Sequence, residues 1–223
     1  AQSGQPAYRA RQIRHWIFQG RVADWEAMSS LPKSLRSRLA ESFRIWTMRV
    51  ATCRCAEDGT QKLLLQLSDR GCIECVLLPD GPTRTICVST QVGCAMGCVF
   101  CASGLLGVDR NLTTGEILEQ MLHLQRLLPA EQRLSHIVVM GMGEPLANLD
   151  NLLPALDQVS RKEGLGISMR RITISTVGIP AAMRRLAGHA HHYHLAVSLH
   201  APNDELRSQL VDRKSTRLNS SHR

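Results

Sequence analysis

From residue 83 onward, apolar strand-like segments alternate with helical segments, and this rhythm constrains the fold more than any other feature of the sequence. Four strand–helix units in succession predict an α/β fold with a parallel sheet, because each parallel strand pair needs a crossover that a helix supplies. In such folds the loops after the strand C-termini carry the chemistry. Strands are expected at Thr85–Val88, Ile137–Met140, Arg171–Ser175 and His194–Ser198, and helices at Thr113–Leu128, 149–162, Pro180–Leu186 and Asn203–Val211.

The first 50 residues predict a small helical domain with a basic surface. Residues 6–20 and 29–45 place apolar side chains at helical spacing. Residues 1–50 carry nine Lys or Arg against three Asp or Glu, in a chain whose net charge is +8. Such an excess of cations attracts phosphate groups, so this domain is a candidate nucleic-acid contact. On charge alone, a solvated helical surface is an equal alternative.

Between this domain and the strand–helix units, the sequence predicts a β-hairpin. The apolar runs Lys62–Leu67 and Cys72–Leu78 are joined by Ser-Asp-Arg-Gly, which is typical of a turn. We therefore expect a hairpin linker over residues 51–82 and a core domain over residues 83–211. Residues 212–223 are polar and lack periodicity, and we interpret them as a tail that is not native to the protein.

The composition favours a globular protein in the cytoplasm. The chain is 43% hydrophobic and 21% charged, which excludes a disordered or fibrous class of protein. No apolar run approaches the roughly 20 residues that cross a membrane, and the N-terminus lacks the apolar core of a signal peptide. The eight cysteines of such a chain do not predict a disulfide framework.

Three of the cysteines form a CxxxCxxC loop directly after the first strand of the core domain: Cys94, Cys98 and Cys101. A structural zinc site needs a fourth ligand, whereas three thiolates suit a 4Fe–4S cluster that keeps one iron free of protein ligands. An open iron can coordinate a substrate or cofactor. Gly93 and Gly97 let the backbone wrap closely around a bulky cluster. The alternatives are three buried cysteines, or zinc completed by a histidine.

The cysteines before this loop are interpreted differently. Cys72 and Cys75 have CxxC spacing, but an extended strand sends residues three apart to opposite faces. We therefore interpret these two, together with Cys53 and Cys55, as incidental small hydrophobic residues.

Five separated motifs, in this order along the chain, resemble the radical S-adenosylmethionine superfamily and, within it, the RlmN/Cfr family of RNA adenine methyltransferases. The likeness extends from about Tyr8 to Val211. The motifs are the run CVSTQVGC over 87–94, the cysteine loop, Arg110-Asn111-Leu112, GMGEPL over 141–146 with Asn148, and SLHAPN over 198–203.

This resemblance implies a set of cofactor contacts. Cys94, Cys98 and Cys101 would bind a 4Fe–4S cluster, whose open iron takes the amino and carboxylate groups of S-adenosylmethionine. Reductive cleavage then yields methionine and a 5′-deoxyadenosyl radical, with electrons from a donor such as flavodoxin or ferredoxin. Gly143 and Glu144 would contact the methionine end of the cofactor. Further contacts are implied for Ser175, Ser198, Leu199 and His200.

The resemblance also implies a reaction. The family methylates an adenine carbon in 23S rRNA and, in some members, tRNA. A cysteine near the C-terminus carries the methyl group, and a second cysteine, matched by Cys87, releases the product as a disulfide forms. Glu74 matches the candidate proton acceptor. On the residues alone, Cys87 is a strand cysteine and Glu74 a solvent-facing carboxylate. We favour carbon C2 of the adenine over C8, as the commoner activity, and expect a monomer.

Two departures from the family pattern shape this interpretation. No cysteine follows Cys101, so the methyl-carrying cysteine is absent, and about four of the six strand–helix units are present. We therefore expect a C-terminally truncated partial (β/α) barrel that does not complete methylation, with an apolar edge strand at His194–Ser198 that lowers solubility. The rival hypotheses are another radical S-adenosylmethionine enzyme that shares only the cysteine loop, and a non-catalytic iron–sulfur, zinc or RNA-binding fragment.

Overall fold

A seven-stranded sheet organises the part of the chain that the computed structural model describes, namely residues 5–105, 107–190 and 192–211. The expected tail over residues 212–223 lies outside these ranges. The strands are β1 (Arg49–Cys55), β2 (Gln61–Gln66), β3 (Cys72–Asp80), β4 (Thr83–Cys87), β5 (Gln91–Gly93), β6 (Val108–Asn111), β7 (His136–Val139), β8 (Ile172–Thr176) and β9 (His194–Val197). The α-helices are α1 (Tyr8–Phe18), α2 (Lys33–Ser42), α3 (Thr114–Arg126), α4 (Leu149–Ser160), α5 (Pro180–Ala187) and α6 (Asp204–Leu210).

The order of the large sheet is β1-β2-β3-β4-β7-β8-β9. Strands β1 to β4 form an antiparallel meander, and β4, β7, β8 and β9 run parallel. The parallel half confirms the expected α/β fold, with helices as the crossovers between consecutive strands. Strand β9 lies at one edge of the sheet, and its Val197 is 50% exposed. Among the described residues, no helix has both the length and the apolar character that a membrane crossing requires.

The two faces of the parallel half differ in burial. Ile86, Ile137 and Ile174 are fully buried in one core cluster with apolar residues of α3 and α4. The opposite face carries the half-buried side chains of Cys87 and Ser175, and we call it the open face. Because strand side chains alternate between faces, the helix layer fixes which residues remain on the open face.

Helix α3 begins as the sequence predicts. The Thr113 hydroxyl accepts a hydrogen bond from the Glu116 backbone N–H at 3.2 Å, and the Glu116 carboxylate accepts one from the Thr113 N–H at 2.8 Å. This reciprocal capping box satisfies two backbone donors that the first helical turn leaves unpaired.

The structure differs from the expected hairpin linker over residues 51–82. The hairpin of β2 and β3 is present, but β1 and β4 extend it on both sides into a continuous sheet. Strand β4 pairs with β3 on one side and with β7 on the other, so it belongs to both halves. Strand β1 is exposed along its whole length, and its Cys53 and Cys55, which we interpreted as incidental small hydrophobic residues, are exposed with it.

The carboxylate of Glu119, on α3, joins the N-terminal helical region to the core. It accepts hydrogen bonds from the backbone N–H groups of Thr47 and Met48, both at 2.7 Å, and from the Thr47 hydroxyl at 2.6 Å. Burial alone would raise the pKa of Glu119, but the neighbouring His123, at 3.5 Å, and the hydrogen bonds from Thr47 and Met48 outweigh it and lower the pKa. The ionised carboxylate therefore stabilises the fold.

We predict that Glu119→Gln lowers the free energy of unfolding by roughly 1–3 kcal/mol at pH 7, because an amide cannot satisfy all these donors. Urea unfolding measures the change. Glu163→Gln is the control, since Glu163 is exposed, and it should leave the free energy of unfolding unchanged.

The same interaction predicts a pH dependence. The folded pKa of Glu119 is lowered, so its stabilisation is complete above the unfolded value of about 4.3 and is lost as the pH falls through the folded pKa. The stability difference between the wild type and Glu119→Gln should therefore shrink as urea titrations move from pH 7 to acid. A difference that stays constant down to pH 3 would contradict this account.

Candidate cofactor site

A cleft of about 200 Å³ opens at the C-terminal ends of β7, β8 and β9. Eight of the eleven predicted site residues line it: Cys94, Cys98, Cys101, Gly143, Glu144, Ser175, Ser198 and His200. The other three, Glu74, Cys87 and Leu199, do not. This volume is below the roughly 300–1,000 Å³ of small-molecule pockets, so the described residues build part of a cofactor-sized site.

The cysteine loop is held at its base by β5 and β6, a two-stranded sheet that the sequence pattern does not predict. The Cys94 N–H donates to the Gly107 carbonyl at 2.8 Å. Gly93 has φ of +77°, and a Cβ there would lie 2.1 Å from the Gly107 oxygen, so only glycine fits. Asn148, from the GMGEPL motif region, donates to the carbonyls of Thr90 and Leu112, both at 2.8 Å. The strands that anchor the loop are thereby fixed to the end of β7.

Arg110 fixes the second strand of this small sheet. Its guanidinium donates two hydrogen bonds to the Glu116 carboxylate, at 2.7 and 2.8 Å, and a third to Asp69. The hydrogen bonds that Arg110 donates to Glu116 and Asp69 raise its pKa further above the ordinary value. The Arg110-Asn111-Leu112 motif therefore attaches the cysteine loop to the start of α3.

The three loop cysteines are close enough to influence one another. Burial raises the pKa of Cys94, and the neighbouring Cys98, Glu144 and Cys101 raise it further. Burial, followed by Cys101, also raises the pKa of Cys98. Cys94 and Cys98 are thus protonated before a metal group binds, and binding releases their protons.

The arrangement of these thiols bears on which metal group fits. Within residues 5–105, 107–190 and 192–211, no three His, Cys, Asp or Glu side chains converge to hold a single metal ion. A zinc site requires that convergence. A 4Fe–4S cluster does not, since each thiolate binds a different iron. The three thiols line one cleft, and three thiol ligands are the donor set that suits a 4Fe–4S cluster.

Glu144 connects the walls of the cleft. Its carboxylate is 2% exposed and accepts hydrogen bonds from the Leu146 N–H at 2.9 Å, the Thr176 hydroxyl at 2.7 Å and the Val177 N–H at 3.0 Å. Its own N–H donates to the Gln91 side chain at 2.8 Å. One carboxylate oxygen accepts only one of these bonds, so it retains capacity for another donor such as an ammonium group.

Gly143 lies directly against Gln91. Its φ is +99°, and a Cβ there would lie 2.6 Å from the Gln91 Cβ and 2.8 Å from the Gln91 N. Any side chain at residue 143 would therefore both strain the backbone and push the base of the cysteine loop away.

The opposite wall comes from the ends of β8 and β9. The hydroxyls of Ser175 and Ser198 lie 3.4 Å apart. His200 has φ of +65°, an uncommon conformation for a residue with a side chain, and its ring centroid lies 4.8 Å from that of Phe100 in the cysteine loop. The side chain of Leu199 is outside the cleft and 65% exposed.

Glu74 and Cys87 lie on the open face of the sheet. Cys87 is opposite Val76 on the neighbouring strand, and Glu74 is two residues before Val76, so all three share this face. Burial raises the pKa of the Cys87 thiol. Glu74 forms an ion pair with Lys62 at 2.9 Å, and both side chains are about half exposed. All eight cysteines of the chain are free thiols.

Comparison with known proteins decides the family. A model of the radical SAM superfamily matches residues 88–218, which is more than half of the 223 residues. The chain belongs to the radical SAM superfamily. A second model, described as the ribosomal RNA large subunit methyltransferase N-terminal domain, matches residues 1–45 of this radical SAM chain.

Relatives of this radical SAM chain confirm its resemblance to the RlmN/Cfr family. Proteins named probable dual-specificity RNA methyltransferase RlmN are 63% identical over 210 residues in Rhodopirellula baltica and 47% identical over 212 residues in Symbiobacterium thermophilum. These matches cover 94% and 95% of this chain, and 57% of each relative. The crystal structure of a radical SAM methyltransferase from Sphaerobacter thermophilus matches with a TM-score of 0.90 and 44% identity, over 94% of this chain and 62% of that one. The chain thus spans about 57% of the length of these curated relatives.

We predict that Gly143→Ala destabilises the protein far more than Gly178→Ala. Gly178 has φ of +97°, and a Cβ there would have nothing within 4 Å. Gly178→Ala therefore measures the cost of the backbone strain without steric crowding. That strain costs about 1–2 kcal/mol, and crowding against Gln91 adds about 1–3 kcal/mol at residue 143. Urea unfolding of both variants measures the difference. Equal losses of stability would show that the contact with Gln91 contributes nothing.

Proposed function

We propose that this chain is the cofactor-binding part of a radical S-adenosylmethionine RNA methyltransferase that methylates C2 of an adenine in 23S rRNA. We also propose tRNA as a further substrate, which agrees with the words dual-specificity RNA methyltransferase in the relatives' names. The observation that carries the proposal is the cleft in which the three loop cysteines face Glu144 and the ends of β8 and β9. This combination provides ligands for a cluster and polar groups for an amino acid in one place.

Cys94, Cys98 and Cys101 would hold a 4Fe–4S cluster. When bound, the cluster supplies the electron that cleaves S-adenosylmethionine. A flavodoxin or ferredoxin would donate that electron to the cluster. Glu144 would accept hydrogen bonds from the ammonium group of the cofactor, and Gly143 would let that end approach the backbone.

The opposite wall would hold the rest of the cofactor. Ser175 and Ser198 place two hydroxyls 3.4 Å apart, which suits polar groups that both donate and accept hydrogen bonds. His200 would contribute its ring at the mouth of the cleft. Leu199 would contribute through its backbone, since its side chain lies outside.

The open face of the sheet is where we propose that the adenine reacts. Cys87 would be the thiol that releases the product, and its raised pKa keeps it protonated until a base removes the proton. Glu74 would accept a proton from the substrate, with Lys62 holding its carboxylate in place at 2.9 Å. Methylation at C8 would use the same groups, and the preference for C2 rests on that activity being the commoner one.

The RNA contact proposed for the N-terminal region is supported by its surface. Exposed cations on α1, α2 and the segment after α2 can bind phosphates while a target base is turned toward the cleft. They are Arg11, Lys33, Arg38 and Arg44. We propose that the protein acts as a monomer with this region bound to folded RNA.

A methyl-carrying cysteine is needed for turnover, and no cysteine follows Cys101 in this sequence. We therefore propose that a polypeptide of these 223 residues binds the cluster and S-adenosylmethionine but does not methylate RNA. A non-catalytic iron–sulfur fragment is the second candidate, and it differs in predicting no cleavage of the cofactor.

The test is anaerobic reconstitution with iron and sulfide, followed by metal analysis. We expect about four irons and four sulfides per chain, because three thiolates suit a 4Fe–4S cluster. Cys98→Ala should lose most of this iron. Cys53→Ala is the matched control, since Cys53 is exposed on β1, away from the cleft, and it should keep all of it. Bound zinc, or iron that survives Cys98→Ala, would refute the cluster site.

Cleavage is then measured as 5′-deoxyadenosine formed after chemical reduction in the presence of S-adenosylmethionine. We expect 5′-deoxyadenosine to form without methylation of RNA. Bound iron without any 5′-deoxyadenosine would favour the non-catalytic fragment.

A further inference from the structure

Helix α6 packs against the cysteine loop. The Val99 N–H, in the loop, donates to the Leu210 carbonyl at the end of α6, at 3.1 Å. Val211, which follows the helix, is buried in one cluster with Cys94 and Cys98. The loop that would hold a cluster therefore depends on α6 for part of its packing.

Arg207, on the same helix, bridges the ends of two strands. One guanidinium nitrogen donates to the Val177 carbonyl, which follows β8, and the Nε donates to the Leu199 carbonyl, which follows β9, at 3.2 Å. These two bonds leave the guanidinium little freedom to move, because its planar fork has fixed donor directions. The side chain is thus held between the strand ends that form one wall of the cleft.

The charge of this guanidinium lies beside the cleft. The guanidinium donates to the carbonyl of Val177, and Val177 lines the same cleft as Cys98 and Glu144. Three thiolates beside the Glu144 carboxylate would bring several negative charges into one half-buried cleft. Such a concentration of like charge is costly at low dielectric unless a cation lies nearby.

We propose that Arg207 is a positioning residue for the iron–sulfur site: it offsets the negative charge of the cluster thiolates and joins the ends of β8 and β9. This inference rests on the proposed function, since it requires a bound cluster. A nearby positive charge stabilises the reduced, more negative state, so Arg207 raises the reduction potential of the cluster. Its two hydrogen bonds hold the wall that faces the cofactor.

The test compares Arg207→Gln, Arg207→Lys and Arg184→Gln in the full chain after reconstitution. Anaerobic redox titration followed by electron paramagnetic resonance gives the reduction potential. The reduction potential of the cluster should be more negative in Arg207→Gln than in the wild type. In Arg207→Lys it should stay close to the wild-type value, because the positive charge is kept. Arg184 is exposed on α5, and its variant controls for the loss of one positive charge elsewhere.

A second readout tests the hydrogen bonds. A lysine cannot donate to both carbonyls with the geometry of a guanidinium, so Arg207→Lys should release iron to a chelator several-fold faster than the wild type at an unchanged potential. The comparison of Arg207→Lys with the wild type still tests the role of Arg207 if Arg207→Gln fails to fold. A lowered potential in Arg207→Lys would overturn the charge argument.

The outcomes separate this inference from the proposed function. If the cluster binds with the same reduction potential in Arg207→Gln and Arg184→Gln, only the role proposed for Arg207 is overturned. A wild-type chain that binds no iron and sulfide overturns the proposed function and this inference with it.

Discussion

The buried carboxylate of Glu144 is the interaction on which the cleft depends. A carboxylate that is 2% exposed requires hydrogen-bond donors, and the chain supplies them from the turn after β7 and from the end of β8. The Glu144 N–H binds Gln91, at the base of the cysteine loop. Three segments distant in sequence therefore meet at one residue, and their meeting brings the loop thiols to the ends of the parallel strands.

The parallel half of the fold and the grouping of three cysteines in one loop were predictable, because both depend on local patterns. Thr113 and Glu116 mark the start of α3 three residues apart, and the structure shows the capping box that this spacing predicts. The spacing of Cys94, Cys98 and Cys101 likewise needs no tertiary information. The loops after β7, β8 and β9 lie together because parallel strands end on the same side of a sheet.

The remaining features depend on contacts between distant residues. Strands β5 and β6 have three and four residues, too few for a periodic signal, and they form only because the cysteine loop returns on itself. Strand β1 is exposed on both faces and shows no alternation. The bridge from Arg207 to Val177 and Leu199 spans three elements. No local spacing of residues predicts these pairings, so only the structure shows the extended meander and the contacts of α6.

The central claim is that the cleft holds the amino group of S-adenosylmethionine beside the cluster and Glu144. Electron–nuclear double resonance of the reduced, reconstituted protein tests it most directly, with S-adenosylmethionine labelled with ¹⁵N in its amino group. The account predicts a nitrogen hyperfine coupling that is resolved in the wild type and disappears in Cys98→Ala, which cannot hold the cluster. A reduced cluster with bound cofactor but no nitrogen coupling would contradict it, because the cofactor would then lie elsewhere.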